Sequence, residues 1–260
     1  MISKKEKRTR LLLSILGLIV FFGVWEAVVR VGLVSSRILS PPSTVLATFF
    51  EKLSSTKPEG ATLIEHFLVS FQLAFSSFVA AVVIGVPLGL VMGQYKAFDR
   101  FFTPIFEIIR PIPPIAWIPI VILVAGIGMP AKIFIIFIAA FVPCVINSYL
   151  GIKLTNPVLI NVAKTFGASN WQIFTKVCIP SSLNMVFTGV RNALGASWST
   201  LVAAEMLAST KGLGYMIQMG RQLIRPDIIL VGMLTIGCIG ALLSWLLGLL
   251  EKKVAPWRYR

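Results

Sequence analysis

Few side chains in this sequence could carry out catalysis. Ser197 follows Gly195 and Ala196, a pattern that resembles the start of a nucleophile motif, but Trp198 stands where that motif needs a glycine. A serine nucleophile needs a base to accept its proton, and the single histidine, His66, lies at the outer edge of a different predicted helix. We therefore expect His66 to be a surface or interfacial residue.

Metal and nucleotide chemistry are not indicated either. The three cysteines lie far apart in apolar contexts, without the spacing of metal ligands or of a disulfide framework. They are Cys144, Cys178 and Cys238. The sequence also lacks the GxxxxGK[ST] loop that cradles phosphates in many ATP-hydrolysing proteins. We therefore predict that the chain is not an enzyme and binds no metal or cofactor itself.

The composition excludes an ordinary soluble protein. Of the 260 residues, 57% are hydrophobic and 13% are charged, whereas soluble domains have roughly 25% charged residues. The net charge is +14, but the basic residues stand in short groups between long uncharged runs. That pattern is typical of membrane topology and not of a nucleic-acid-binding face. We predict an all-α polytopic membrane protein that binds no nucleic acid.

Six stretches are long and apolar enough to span a bilayer, which takes about 20 residues of helix. They are residues 11–29, 67–95, 111–131, 133–152, 181–204 and 228–250. Of the 24 Lys and Arg residues, fifteen fall on the side of the N-terminus and eight on the other side, with Arg191 inside the fifth stretch. Because basic residues accumulate in cytoplasmic loops, we expect both termini to be cytoplasmic.

We divide the chain into three parts. Residues 1–66 hold the N-terminal tail, the first membrane helix and an extracytoplasmic loop. Residues 67–250 form the main transmembrane domain, and residues 251–260 form a cytoplasmic tail. The connection at 153–180 is longer than an ordinary loop between spans, so we expect it to be structured.

The 153–180 connection begins with the signals of a short helix. Asn156 followed by Pro157 predicts a capped helix start, and Gly167 can adopt the left-handed conformation that ends it. The apolar residues of this helix fall on one face. They are Val158, Leu159, Val162, Ala163 and Phe166. This face must dock either under its own bundle or in a groove on a partner.

A second short helix is expected after the glycine. Ser169 and Gln172 have the spacing of a capping box, and Pro180 is expected to close the helix because proline interrupts the helical hydrogen bonds. The connection is thus predicted to be a helix, a glycine corner and a helix at the cytoplasmic surface.

The residues of this connection resemble the "EAA" signature of the permease subunits of bacterial ABC importers. The matching positions are Asn161, Val162, Ala163, Gly167, Val177, Ile179 and Pro180. Asn161 replaces the glutamate of the signature and Val162 replaces an alanine. Two further blocks, 110–119 (RPIPPIAWIP) and 198–214 (WSTLVAAEMLASTKGLG), narrow the resemblance to the taurine, aliphatic sulfonate and nitrate class.

The resemblance implies a type I ABC importer permease fold with six transmembrane helices in a bacterial cytoplasmic (inner) membrane. It further implies that the signature residues and the apolar face around them couple the chain to an ATPase. The permease would work as a homodimer with two ATP-binding cassette subunits, which bind ATP and Mg²⁺, and with an extracytoplasmic solute-binding protein. The solute would be a sulfonate such as taurine, or a related small anion such as nitrate.

Candidate residues for the translocation path lie in and near the third and fifth spans. A cluster of prolines breaks the helical ladder there, and broken helix at membrane depth must be buried in protein or line a cavity. Arg191 lies near the cytoplasmic surface if the fifth span begins near Val190, the placement we favour, and about 15 Å along the helix if it begins near Ser181. Glu205 is expected near the outer end, where it could orient the loop that follows or contact the binding protein. The candidates are Pro111, Pro113, Pro114, Trp117, Arg191, Trp198, Ser199, Thr200 and Glu205.

Two other classes of protein compete with this interpretation. A secondary transporter or channel would need its own substrate or coupling-ion site, with carboxylates near the membrane midplane. Glu26, Glu107 and Glu205 instead lie near the ends of predicted spans. An intramembrane serine protease can also have six spans, but it would need a base near Ser197. Transport by the chain without an ATPase would favour the first of these alternatives.

Overall fold

The computed structural model describes residues 4–254, and all side chains within them except those of Lys4, Lys5, Lys7 and Ala208. This part of the chain is helical and contains no strand. The helices are α1 (Lys4–Arg30), α2 (Pro42–Lys52), α3 (Leu63–Gln94), α4 (Lys96–Ile109), α5 (Ile118–Ala125), α6 (Met129–Lys153), α7 (Pro157–Thr165), α8 (Asn170–Ile173), α9 (Ile179–Ala208), α10 (Leu213–Gln222) and α11 (Pro226–Val254). Most of the C-terminal tail predicted at 251–260, from residue 255 onward, lies outside the described residues.

Within the described residues, five helical segments are long and apolar enough to cross a membrane: Arg8–Arg30, Leu63–Gln94, Met129–Lys153, Asn170–Leu207 and Pro226–Val254. A sixth crossing exists if α4 and the following segment, Pro114–Ala125, are counted as one broken span. These two pieces meet at an angle of 85°. The prediction of an all-α protein with six membrane segments is confirmed in this form.

The third membrane segment differs from the continuous span predicted at 111–131. Within that stretch, Pro114–Ala125 is helical, with a 3-10 turn over its first four residues, and Gly126 ends this helix with φ of 74°. The next helix, α6, already begins at Met129. The residue before a proline avoids the helical region, and Pro113 accordingly has ψ of 136°. The search for uncharged stretches missed α4, because α4 carries charged residues along one of its faces. It nevertheless belongs to this crossing.

The centre of the bundle is a stack of α3, α6 and α9. Glycines let the three backbones approach closely, as is common for helices in lipid. A methyl group at Gly93 of α3 would lie 2.6 Å from Cβ of Ile152, and one at Gly189 of α9 would lie 2.7 Å from Cβ of Asn147. Both contacts are too short for a side chain, so these glycines set the distance of α6 from its two neighbours.

The first helix contacts α2 and exposes most of its apolar side chains. Glu26, near the end of α1, joins it to the start of α2: its carboxylate accepts hydrogen bonds from Arg30 Nε at 2.5 Å, from Ser43 Oγ at 2.7 Å and from the Ser43 amide at 3.0 Å. For the description below, the end of the bundle with the α6–α9 connection is the α7 end. The end with the α9–α10 connection is the far end.

Candidate functional site

The first half of the 153–180 connection folds as its sequence predicts. Asn156 caps α7, and its side-chain oxygen accepts a hydrogen bond from the Val158 amide at 2.9 Å. Pro157 occupies the first turn, where no amide donor is needed. Gly167 follows α7 with φ of 76°, in the left-handed region that favours glycine. Local capping therefore fixes where α7 begins and ends.

The surface of α7 is divided between its own bundle and the outside. Ile160 and Ala163 pack against a buried cluster of Ile152, Ile173 and Phe174. The remaining apolar side chains are exposed to 48–86%, with Phe166 the most exposed. They are Val158, Leu159, Val162 and Phe166. Four of the five predicted members of this face are therefore exposed and do not pack under the bundle of their own protomer.

The second half of the connection differs from the prediction at its end. Ser169 and Gln172 form the predicted capping box, in which each side chain bonds the other residue's backbone amide. Pro180, however, does not close the helix. It lies in the first turn of α9, and the chain stays helical from Asn170 to Leu207.

A π-turn explains how the helix passes the proline. Residues Phe174–Cys178 form one turn of π-helix, in which the Ile179 amide donates to the Phe174 carbonyl. This wider turn accommodates the missing donor and the bulk of Pro180, which would otherwise break the ladder. Val177 and Ile179 are half-buried in this region, and Pro180 is exposed.

The far end carries a buried polar network around Glu205. This carboxylate is 0% exposed and accepts hydrogen bonds from Ser70 Oγ and from the Gly214 amide, both at 2.8 Å. Ser70 Oγ in turn accepts from the Leu213 amide at 2.8 Å. Any side chain at Gly212, whose φ is 128°, would overlap the carboxylate. Glu205 therefore holds the α9–α10 connection against α3.

His66 belongs to the same network, which corrects the expectation of a surface residue. It is 1% exposed, and its Nδ1 accepts a hydrogen bond from the Gly212 amide at 3.0 Å. Lys132 Nζ of α6 donates to Ser209 Oγ, in the same α9–α10 connection, at 2.8 Å. The sequence placed His66 at the outer edge of α3, but it offered no sign that a glycine loop 146 residues later would cover it.

The predicted path residues do not form one surface of the protomer. The Trp198 indole is 7% exposed, packs between α3 and α11, and donates from Nε1 to the Ile236 carbonyl at 3.0 Å. This differs from the path-facing position expected for it. Ser199 is exposed and Thr200 is nearly buried, as the 100° turn between successive helical residues requires.

Arg191 and the proline cluster occupy different parts of the bundle. Arg191 Nη2 pairs with Glu251 at 2.5 Å, in the last turn of α11. That partner places Arg191 towards the α7 end of the bundle. Pro111 and Pro113 are exposed at the break between α4 and α5, Pro114 is half-buried there, and the Trp117 ring packs against the start of α6. The structure thus keeps Arg191 apart from Glu205. It also places both residues away from the proline cluster.

Comparison with known proteins identifies the bundle. Residues 85–256 match the model of the family described as "binding-protein-dependent transport system inner membrane component". The chain belongs to this family. It is a multi-pass inner-membrane protein of the ABC importer permease class. The matched region contains the 153–180 connection, the proline break and Glu205, whereas Ser70 and His66 of the Glu205 network lie before it.

Named relatives of this permease cover most of its length. It is 37% identical over 248 residues to the taurine transport system permease protein TauC of Escherichia coli (strain K12), which covers 94% of this chain and 89% of the relative. It is 33% identical over 212 residues to the nitrate import permease protein NrtB of Synechocystis sp. (strain ATCC 27184 / PCC 6803 / Kazusa), covering 82% of this chain and 76% of the relative.

A solved structure shares the fold of this permease. The match is to an inward-facing conformation of the MetNI methionine ABC transporter, with a TM-score of 0.57 and 18% identity. It covers 75% of this chain and 94% of the matched one. The likeness supports the bundle architecture described above.

Sequence reasoning missed several polar residues of this permease that find their partners only in the folded chain. Ser70, Lys132 and Asp99 were not singled out, although all are polar groups within or at the edge of apolar runs. That property is the signal that could have found them, because a polar group in a membrane helix needs a partner. Ile160 was missed because helical periodicity does not show which flank of an apolar face turns inward.

Proposed function

We propose that this permease is the membrane subunit of an ATP-driven importer that takes a small anion from a solute-binding protein. It works as a homodimer, with two ATPase subunits at the α7 end and the binding protein at the far end. The observation that carries this proposal is the exposed apolar surface of α7. Soluble surfaces rarely leave such side chains grouped without a partner.

The coupling surface consists of residues with two different tasks. The exposed apolar side chains of α7, together with Asn161 beside them, make the contact with the ATPase. Ala163, Val177 and Ile179 are half-buried and anchor the connection to the bundle, while Gly167 and Pro180 shape its corners. Because Asn161 stands in the position of the signature glutamate, the contact at this point is made by an uncharged amide.

The proposed orientation places the α7 end in the cytoplasm. The basic residues of the sequence accumulate on this side, including Lys153, Lys164 and Lys176 in the connection itself, and basic loops remain in the cytoplasm. Both chain termini then lie in the cytoplasm as well. The Glu205 network lies at the extracytoplasmic end, where the fixed α9–α10 connection supports the surface that meets the binding protein.

The translocation path is proposed to lie between two copies of the permease, along the broken third span and α9. The exposed prolines Pro111 and Pro113 give the third span an irregular backbone, and Ser199 offers a hydroxyl on an exposed face of α9. Arg191, paired with Glu251, lies nearer the cytoplasmic mouth. Irregular backbone in a membrane must line a cavity or be buried in protein, and a dimer provides both.

The substrate class rests on the relatives. The permeases named for taurine and for nitrate both serve solutes with an oxyanion group, so we propose a small anion, with a sulfonate such as taurine first. The chain itself binds no ATP and no cofactor. ATP and Mg²⁺ are bound by the partner ATPase, since the sequence has no phosphate loop of its own.

Reconstitution in proteoliposomes tests this proposal. The permease is purified with its cognate ATPase and binding protein, and ATP hydrolysis and solute uptake are measured with taurine, an alkanesulfonate and nitrate. We expect uptake only when all three proteins and ATP are present, and stimulation by one of these anions. Uptake by the permease without the ATPase would establish a secondary transporter or channel instead. Stimulation only by a solute without a sulfonate or other oxyanion group would overturn the substrate class.

A further inference from the structure

The start of α4 is fastened to the entrance of the 153–180 connection. Asp99, in the first turn of α4, pairs through Oδ2 with Lys153 Nζ at 2.9 Å, and the same oxygen accepts a hydrogen bond from Tyr149 Oη at 3.3 Å. Its other oxygen accepts from Thr103 Oγ1 at 2.8 Å. The Lys153 ammonium also lies 5.2 Å from the centre of the Tyr149 ring. Lys153 is thus held on two sides, just before Asn156 opens α7.

A second contact joins α4 to the exit of the same connection. Tyr95, the residue between α3 and α4, packs edge-on against Phe174 with 5.9 Å between ring centres. Phe174 is 5% exposed and begins the π-turn that leads into α9. The start of the connection therefore contacts the α3–α4 junction through an ion pair, and the end of the connection contacts it through an aromatic pair.

Beyond these contacts α4 lies on the surface of the bundle. None of its side chains is buried, and its fourteen residues make a rod of about 21 Å at 1.5 Å per residue. The rod ends at the proline break, where the backbone turns by 85° into the segment Pro114–Ala125. Along its length α4 contacts α6 through half-buried side chains such as Phe106, whose ring centre lies 5.7 Å from that of Phe141. Because no side chain of α4 is buried, we expect a displacement of its first turn to be passed along α4 to the break.

We propose that Asp99 and Lys153 form the joint through which movement of the ATPase-coupling connection reaches the broken third span. This inference rests on the proposed function, since it requires an ATPase to move the connection. Asp99 and Lys153 act as positioning residues, and neither needs to touch the solute. Their side chains are 21% and 39% exposed, and ion pairs in such positions contribute little to stability. Loss of the pair should therefore loosen the linkage and leave the fold intact.

The test measures the number of solute molecules imported per ATP hydrolysed by the reconstituted complex. Asp99→Asn and Lys153→Met each remove the charge pair, and we expect each to lower this ratio at least about fivefold, the lower range of energetic coupling between sites. Co-purification of the ATPase should be unchanged, because neither side chain belongs to the exposed surface of α7. The charge-reversed double variant Asp99→Lys/Lys153→Asp should recover most of the wild-type ratio.

Arg30→Met provides the matched control. It also removes an exposed ion pair, that of Arg30 with Glu26, but at the far end, and it should leave the ratio at the wild-type value. Wild-type ratios in both single variants would overturn the joint, as would a double variant that remains as impaired as the single ones. These outcomes are distinct from failure of the proposed function, in which the wild-type complex would show no ATP-dependent uptake at all.

Discussion

The two ends of this permease differ in how their side chains find partners. At the far end, the Glu205 carboxylate, the Ser70 hydroxyl and the Gly214 amide bond one another out of contact with solvent. At the α7 end, apolar side chains such as that of Phe166 are left exposed, and the ion pair of Asp99 is open to solvent. The Glu205 carboxylate finds its partners within one protomer, whereas the apolar side chains at the α7 end stay exposed.

This difference has a physical basis. Buried polar groups are costly unless each finds a partner, so a network such as that of Glu205 tolerates little displacement. An exposed apolar surface is stable only with a partner, and an exposed ion pair can yield at small cost. We infer that the far end is built to keep its shape and that the α7 end is built to be moved.

The largest expected effect comes from breaking the far end. Glu205→Ala leaves the Ser70 hydroxyl and the Gly214 amide buried without their acceptor, which should cost about 3 kcal/mol. We expect a clear fall in the melting temperature of the purified permease in detergent. Arg191→Lys, which keeps a basic residue opposite Glu251 at the other end, is the control and should melt close to the wild type. Equal melting of Glu205→Ala and wild type would show that the network does not hold this end.

A smaller effect is expected from straining the corner after α7. Gly167→Val forces a β-branched residue into the left-handed region, at a cost of about 2 kcal/mol. The strain falls on the exposed corner, so the permease should still insert into the membrane while the ATPase no longer co-purifies. Gly17→Val is the control, since Gly17 has open space around it and no left-handed φ. Unaltered association of the ATPase with Gly167→Val would count against α7 as the coupling helix.

Removing the most exposed side chain of α7 should separate stability from association. Phe166 is 86% exposed, so Phe166→Ser should change the melting temperature little. We expect it to weaken ATPase binding about tenfold, which corresponds to about 1.4 kcal/mol, as measured by titration of the ATPase onto immobilised permease. The half-buried Ala163 serves as the contrasting position. Ala163→Ser should affect the packing of α7 on the bundle, and therefore the melting temperature, more than the outer surface that binds the ATPase. Unchanged binding by Phe166→Ser would remove this residue from the coupling surface.

The smallest effect is expected from Ser199→Ala. The Ser199 hydroxyl is exposed and bonds the Gly195 carbonyl of its own helix at 2.9 Å, so its loss should alter stability by no more than about 0.5 kcal/mol. We expect a lower uptake rate in proteoliposomes with unchanged ATPase binding, because this side chain is proposed to face the path. An uptake rate equal to that of the wild type would place the path elsewhere on α9.

Much of the architecture follows from short stretches of sequence. Long apolar runs locate the spans, and Asn156, Gly167 and the Ser169–Gln172 pair mark the limits of the connection's helices. These features depend on residues within a few positions of one another. The exceptions were Pro180, where a π-turn absorbed the proline, and the third span, where amphipathic α4 carries charge along one face and prolines divide the helix.

The candidate sites needed the folded chain, because their partners are far apart in sequence. Glu205 bonds Ser70 across 135 positions and Asp99 pairs with Lys153 across 54. Periodicity showed that α7 has an apolar face, but the packing of the bundle decided that Ile160 turns inward and Phe166 outward. The sequence by itself determined the six membrane segments and the limits of the capped helices in the connection. Both depend on hydropathy and capping residues that lie close together in the chain. Only the tertiary structure decided which polar groups meet. The reason is that the close packing of α3, α6 and α9 at their glycines determines which residues of neighbouring helices lie side by side.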